Sequence, residues 1–218
     1  MELLVIFKLG YRTINICVNI VNGELNSVPM PATLFQVSKK KLKNPPLKVC
    51  KLGDRNLRQP AKRITKVNDE IRAIALQMLQ TMYSDNGIGL AAPQVGIHKQ
   101  IIVVDCEPDN ESAPPLILIN PELKSSGGDI ITGEEGCLSV PDVFLDVQRP
   151  DQITVNFRDE EGKPKTLTTD GILARVIQHE LDHLNGVMFV DRVQNAIALK
   201  KELTKHGFSV DDVQAIKS

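Results

Sequence analysis

His179 and His183 stand four residues apart in the run His179-Glu180-Leu181-Asp182-His183. On a helix that spacing sets both imidazoles on one face, where they can close on a single metal ion. Glu180, one step round from His179, is placed to reach a water on that metal as general base. Two histidines do not hold a metal alone, so the third donor decides the chemistry. A metzincin pattern would place a third histidine at position 189, which is Phe189 here, although Gly186 is in place. His98 and His206 are the remaining histidines, and neither has a local setting that suggests a ligand. Cys137 does: it lies in the Gly-flanked segment Gly133-Glu134-Glu135-Gly136-Cys137-Leu138-Ser139-Val140-Pro141, where backbone can approach a metal closely. A buried free cysteine is otherwise a small apolar side chain. A thiolate with two imidazoles keeps a fourth position for water or substrate and suits iron or zinc.

A third segment, Gly87-Ile88-Gly89-Leu90-Ala91-Ala92-Pro93-Gln94-Val95-Gly96, carries a GxGxxA pattern like that of dinucleotide-binding turns. It follows a helix and does not lead from a strand into one, so the nucleotide reading fails its context. Gly89 there lets a substrate backbone come close, and Gln94 offers an amide donor to an oxyanion.

These residues need elements to position them. From Lys66 to Asp85, Val67, Ile71, Ile74, Ala75, Met78, Leu79 and Met82 recur at helical spacing, between an Asn68-Asp69 start and an Asn86-Gly87 stop. Ile101 to Val104, Leu116 to Ile119, Ile130-Ile131 and Ile153 to Phe157 read as short strands bounded by turn residues. Asp170 offers an N-cap to the helix that carries both histidines, and Asn185-Gly186 closes it. A last helical pattern runs from about Val193 to Lys205. The expected fold is therefore α+β, with short antiparallel or mixed β-sheets around a central metal-binding helix and further helices in the N-terminal half and at the C-terminus.

The 218 residues, with net charge -1, suit one globular domain and exclude disordered and coiled-coil classes. No block of like charge beyond Lys39-Lys40-Lys41 suggests a nucleic-acid surface. Cys17, Cys50, Cys106 and Cys137 stand singly, which points away from a disulfide framework and towards a reducing compartment. Leu3-Leu4-Val5-Ile6-Phe7 is too short to span a membrane and fits neither a secretory signal nor a transit peptide. Residues 1–45 read as a peripheral extension, and 46–218 as the single catalytic domain.

Together the GxGLAAPQ, EGCLS and HExDH segments resemble the three signature motifs of peptide deformylases, in the same order, over roughly Pro45 to Lys205. Val147 to Pro150 and the Leu-Gly-Asp start near Leu52 are most similar to the bacterial, cyanobacterial and plant-organelle branch. The resemblance implies hydrolysis of the formyl group from the N-terminal formyl-methionine of new polypeptides, with release of formate. It implies Cys137, His179 and His183 as metal ligands, Glu180 as the catalytic carboxylate, and Gln94 with the Leu138 N–H as donors to the formyl oxygen. Gly89 matches the peptide-binding edge, and Asp182 with Arg149 a pair that braces the metal helix. The implied metal is one Fe(II) ion per chain, replaceable by nickel, cobalt or zinc. Ile88, Leu138, Val176 and Ile177 lie near the motifs and are the candidates for the methionine pocket, and Gly136 joins Gly89, Ile88 and Val176 as a candidate substrate-binding residue.

Competing readings keep parts of this pattern. A zinc endopeptidase shares HExxH but needs another third ligand, and a structural metal module should be closed by four protein donors. The implied partners are N-formylmethionyl nascent peptides and, through the terminal helix, the ribosome near its tunnel exit. A monomer, no membrane and no nucleic-acid specificity are expected. The expected compartment is a bacterial cytoplasm, with the plastid stroma as alternative.

Overall fold

In the computed structural model, which describes residues 37–216, the first expected helix forms over Asp69–Ser84 (α1). Asn68 is extended and its side chain accepts from the Ile71 N–H, while Asp69 and Glu70 meet the positive end of the helix. At the far end Asn86 takes φ 61° and the Gly87 N–H returns to Met82 O at 2.8 Å. The buried face, Ile71, Ala75, Met78, Leu79 and Met82, packs in the larger of two apolar cores.

Five strands follow: Gly89–Ala91 (β1), Ile101–Val104 (β2), Leu116–Cys137 (β3), Val140–Arg158 (β4) and Pro164–Asp170 (β5). They form one sheet in the order β1-β2-β3-β4-β5, antiparallel throughout. The expectation of short strands holds for β2, which spans Ile101–Val104, and is corrected in β3 and β4. Leu116 to Ile119 and Ile130-Ile131 belong to one strand of 22 residues, and Ile153 to Phe157 ends another of 19. Residues 122–132 of β3 are exposed, so they show no apolar alternation, yet their backbone stays paired with β4. Register shifts at Ile119/Glu122, Leu123/Ser125 and Gly127/Ile130 absorb the turn-like residues and bend the ribbon. Asn120, at φ 52°, satisfies one such break by bonding both Ile64 N and Ile64 O at 2.7 Å. The segment expected to lead from a loop into a strand is the end of β3, a two-residue turn at Leu138-Ser139 and the start of β4.

The metal-helix pattern forms over Gly171–Leu184 (α2). Asp170 occupies its N-cap position in extended conformation and is the last residue of β5, paired with Gln152, but it makes no side-chain capping bond. Apolar and polar side chains are buried nearly all round α2, which makes it a central element. Gly186, at φ 75°, closes it, and a Cβ there would stand 2.7 Å from Arg58 O, so the chain passes Arg58 only as glycine. The terminal helix, Ala196–Lys205 (α3), begins after Val193 because Asn195 caps it, accepting from Ala198 N at 3.0 Å. Leu199 and Leu203 bury it in the smaller core, with Val140, Val143, Val147 and Phe189. Cys137 belongs to that core and Leu138 to the larger one, so the β3–β4 turn sits at the seam between them.

Of the segment expected to be peripheral, residues 37–45 are seen. Val37 packs on the larger core, and Lys39 Nζ lies 2.6 Å from Asp105 Oδ2. Leu3 to Phe7 and Cys17 lie outside the described residues. Among the described residues no helix is long and apolar enough to cross a membrane.

Candidate metal centre

One helical turn brings His179 Nε2 and His183 Nε2 to 3.2 Å, and the β3–β4 turn brings Cys137 Sγ to 3.3 Å from His183 Nε2. The three donors lie within 4.8 Å of one another, and all three residues are buried. Metal–nitrogen bonds of about 2.0–2.1 Å and metal–sulfur bonds of about 2.3 Å hold tetrahedral donors roughly 3.3–3.6 Å apart, so the set fits a divalent ion. Glu135 can only accept when ionised, so His179 Nδ1, 2.9 Å from Glu135 Oε2, carries the proton and turns the Nε2 lone pair inward. Burial, and then the neighbouring His179, push His183 well below its ordinary range and keep it neutral, as a ligand must be. Burial acts in the same sense on His179, but bonds to Cys137 and Glu135 reverse it and raise this imidazole. Phe189, where a metzincin would have its third histidine, stacks on the His179 ring at 5.8 Å. His98 and His206 are elsewhere, against Asn56 and Glu202.

The pair Asp182–Arg149 is part of a larger buried network. Arg149 NH1 donates to Asp182 Oδ2 at 2.8 Å, and Arg192 grips the same carboxylate through Nε at 2.6 Å. Arg149 also binds both oxygens of Glu135, through Nε at 2.5 Å and NH2 at 2.8 Å, and Arg175 NH1 adds a bond at 2.9 Å. Glu135 is fully buried. Burial alone would raise its carboxyl, but bonds and charge from Arg149, then His179, hold it well below the usual carboxylate range. Sequence reasoning passed over Glu135, Arg175 and Arg192. A signal existed for Glu135, since residues two apart on a strand share a face and Cys137 must face inward. None existed for Arg175 or Arg192.

Glu180 is buried, and its Oε2 has no protein partner among the described residues. Burial pushes its carboxyl up to about 7, a range suited to taking up and returning a proton. Gly89 leaves the space for it: a Cβ at 89 would stand 2.4 Å from Glu180 Oε1 and 2.8 Å from Val176 Cγ1. Gln94 is held by its own turn, its Oε1 accepting from Ala91 N at 2.7 Å, which aims Nε2 at Cys137 Sγ (3.3 Å) and Ser139 Oγ (3.2 Å). No protein group among the described residues accepts from the Leu138 N–H, whereas the Ser139 N–H donates to Cys137 Sγ at 3.4 Å. Ile88, Leu138, Val176 and Ile177 all belong to the larger core. On its side-chain face Gly136 meets Phe144, whose Cε1 would be 2.7 Å from a Cβ, so Gly136 can offer a substrate only backbone.

The polypeptide deformylase family model matches residues 46–198. The peptide deformylase of Microchaete diplosiphon is 59% identical over 187 residues, which cover 86% of this chain and 100% of that one. Peptide deformylase 1 of a Nostoc species is 60% identical with the same coverages. Among solved structures, a peptide deformylase from Synechococcus elongatus in complex with actinonin superposes with TM-score 0.83 at 57% identity, over 84% of this chain and 100% of that one. The enzyme from Thermotoga maritima matches with TM-score 0.64 at 38% identity, over 68% and 97%.

Proposed function

This chain belongs to the polypeptide deformylase family, hydrolases that remove N-terminal formyl groups, and on that premise we propose how its residues divide the reaction. Cys137, His179 and His183 would hold the ion, which we read as Fe(II), in keeping with a donor set of one thiolate and two imidazoles. Bound there, a divalent metal supplies Lewis acidity to the attacking water and to the formyl oxygen. Glu180 takes the proton of the attacking water at its carboxylate and returns it to the leaving methionyl nitrogen. The Leu138 N–H and a Gln94 N–H, the latter now directed at Cys137 Sγ, donate to the formyl oxygen as charge builds on it. Gly89 and the backbone of Gly136 border the peptide, and Ile88, Leu138 and Val176 flank the methionine side. Asp182 and Arg149 keep the metal helix in register with the sheet. Domain 46–218 carries this chemistry, with 1–45 as an extension. The partners are nascent N-formylmethionyl chains, met by a monomer whose α3 docks at the ribosome, in a cyanobacterial-type cytoplasm or a plastid stroma.

The observation that carries this reading is the convergence of three metal donors beside a buried, unpartnered carboxylate that rests against Gly89. Protein purified without oxygen is expected to release formate from formyl-Met-Ala-Ser, to carry a single iron per chain, and to lose both iron and activity to a chelator. Casein cleavage without formate release would instead favour an endopeptidase.

Gly89→Ala probes the carboxylate's seat. The added methyl must displace Glu180, and a misplacement of that size costs about 100-fold in kcat. Were Gly89 needed only to admit the peptide backbone, KM would rise and kcat would stand. Steady-state kinetics with the formyl peptide separate the two.

A further inference from the structure

The turn that carries the Leu138 N–H is held from outside the three motifs. Residues 50–52 cross it and bind both sides of the proposed formyl-oxygen pocket. The Cys50 N–H donates to Gln94 O at 2.7 Å, the Leu52 N–H to Ser139 O at 2.9 Å, and Lys51 Nζ to Leu138 O at 2.7 Å. The Gln94 side chain closes the ring by donating to Ser139 Oγ at 3.2 Å. One peptide group, between Leu138 and Ser139, is thereby fixed at both ends: its carbonyl by the Lys51 ammonium, its N–H by Cys137 Sγ at 3.4 Å. The preceding peptide, which bears the Leu138 N–H, is joined to it at Leu138 Cα, so its aim follows.

The segment leading to residues 50–52 is itself anchored. The Leu47 N–H donates to Thr81 Oγ1 at 3.2 Å and the Leu42 N–H to Ser84 Oγ at 3.1 Å. Upstream, Lys39 Nζ binds Asp105 and the carbonyls of Glu107, Asn110 and Ala113 at 2.6–3.1 Å. Lys51 therefore reaches Leu138, 87 residues away in sequence, from a strand of chain tied down along α1. A charge-assisted bond to a turn carbonyl is stronger than a neutral one and polarises the peptide it holds.

We propose that Lys51 is a positioning residue for deformylation: its ammonium fixes the Leu138-Ser139 turn so that the Leu138 N–H points to the formyl oxygen. This rests on the role assigned above to the Leu138 N–H. Lys51→Met is expected to lower kcat for formyl-Met-Ala-Ser about tenfold, the worth of one charge-assisted hydrogen bond, with KM changed less than about twofold. Lys51→Arg is expected to restore most of kcat. In the zinc-loaded protein, the amide nitrogen shift and hydrogen exchange of Leu138 should change in Lys51→Met and recover in Lys51→Arg. An unchanged kcat with an undisturbed Leu138 amide would overturn the clamp itself. A disturbed amide with unchanged kcat would show the clamp to be real and overturn the role of the Leu138 N–H on which the proposal stands. A fall in kcat that arginine does not rescue, accompanied by a lowered melting temperature and amide changes throughout the sheet, would reduce Lys51 to a general stabilising residue and overturn the proposal.

Discussion

Glu180→Gln is expected to lower kcat for formate release by at least about a thousandfold while the protein keeps its metal and its melting temperature. General acid–base transfer by a placed side chain contributes about 10²–10⁴-fold, and the same group would act here in both proton transfers. The amide has the shape of the carboxyl but cannot take a proton at that position. Glu180 is not among the converging donors, whose atoms come from Cys137, His179 and His183, so metal content should not change. Folding should not suffer either. Burial already pushes this carboxyl up to about 7, which means that its charge opposes folding at neutral pH, and a neutral side chain removes that opposition. The measurement pairs single-turnover formate release with metal analysis and thermal unfolding of both proteins. Retained activity with retained metal would transfer the proton work to another group and leave the buried, unpartnered oxygen of Glu180 without a function.

Glu135→Ala should damage the molecule in a different way, through stability and metal affinity together. Three groups converge on that carboxylate from two elements: Arg149 from β4, and Arg175 and His179 from α2. Removing it leaves Arg149, itself 3% exposed, with Asp182 as its remaining carboxylate partner. Breaking a buried pair by deleting one partner costs about 3–5 kcal/mol, because the other charge stays in a poorly solvating interior. His179 loses the acceptor that sets its tautomer, and such losses weaken metal binding by about 10–100-fold. Glu135→Gln separates the two effects. It keeps the volume and an acceptor oxygen for His179 but removes the charge that faces Arg149 and Arg175, so stability should fall more than metal affinity. Urea unfolding of the chelated protein reads the first and competitive metal titration the second. Wild-type values for both in the alanine variant would mean that the arginines find water in place of Glu135.

The helices were readable because their information is local. Asn68 and Asn86 bracket α1, and the four-residue histidine spacing with Asn185-Gly186 behind it places α2, all within a few turns of chain. The long strands were not readable. Residues 122–132 of β3 face solvent on both sides, so neither alternation nor an apolar run marks them, and they are strand only because β4 pairs with them. The resemblance pairs Asp182 with Arg149 as a brace on the metal helix, but in sequence their charge is visible and their burial is not. The structure buries both, and their worth changes accordingly.

The sequence by itself determined the chemistry of the donors: two imidazoles on one helical face, a carboxylate one step round, and a cysteine flanked by glycine. Side-chain type and a period of 3.6 residues are sufficient for that much. The tertiary structure alone decided what those groups meet. It put Glu180 against Gly89, Glu135 behind His179, and Lys51 across the Leu138-Ser139 turn. Periodicity encodes which face of an element is buried but not which partner lies opposite. That depends on strand register and on the packing of elements dozens of residues apart, which only the folded chain specifies.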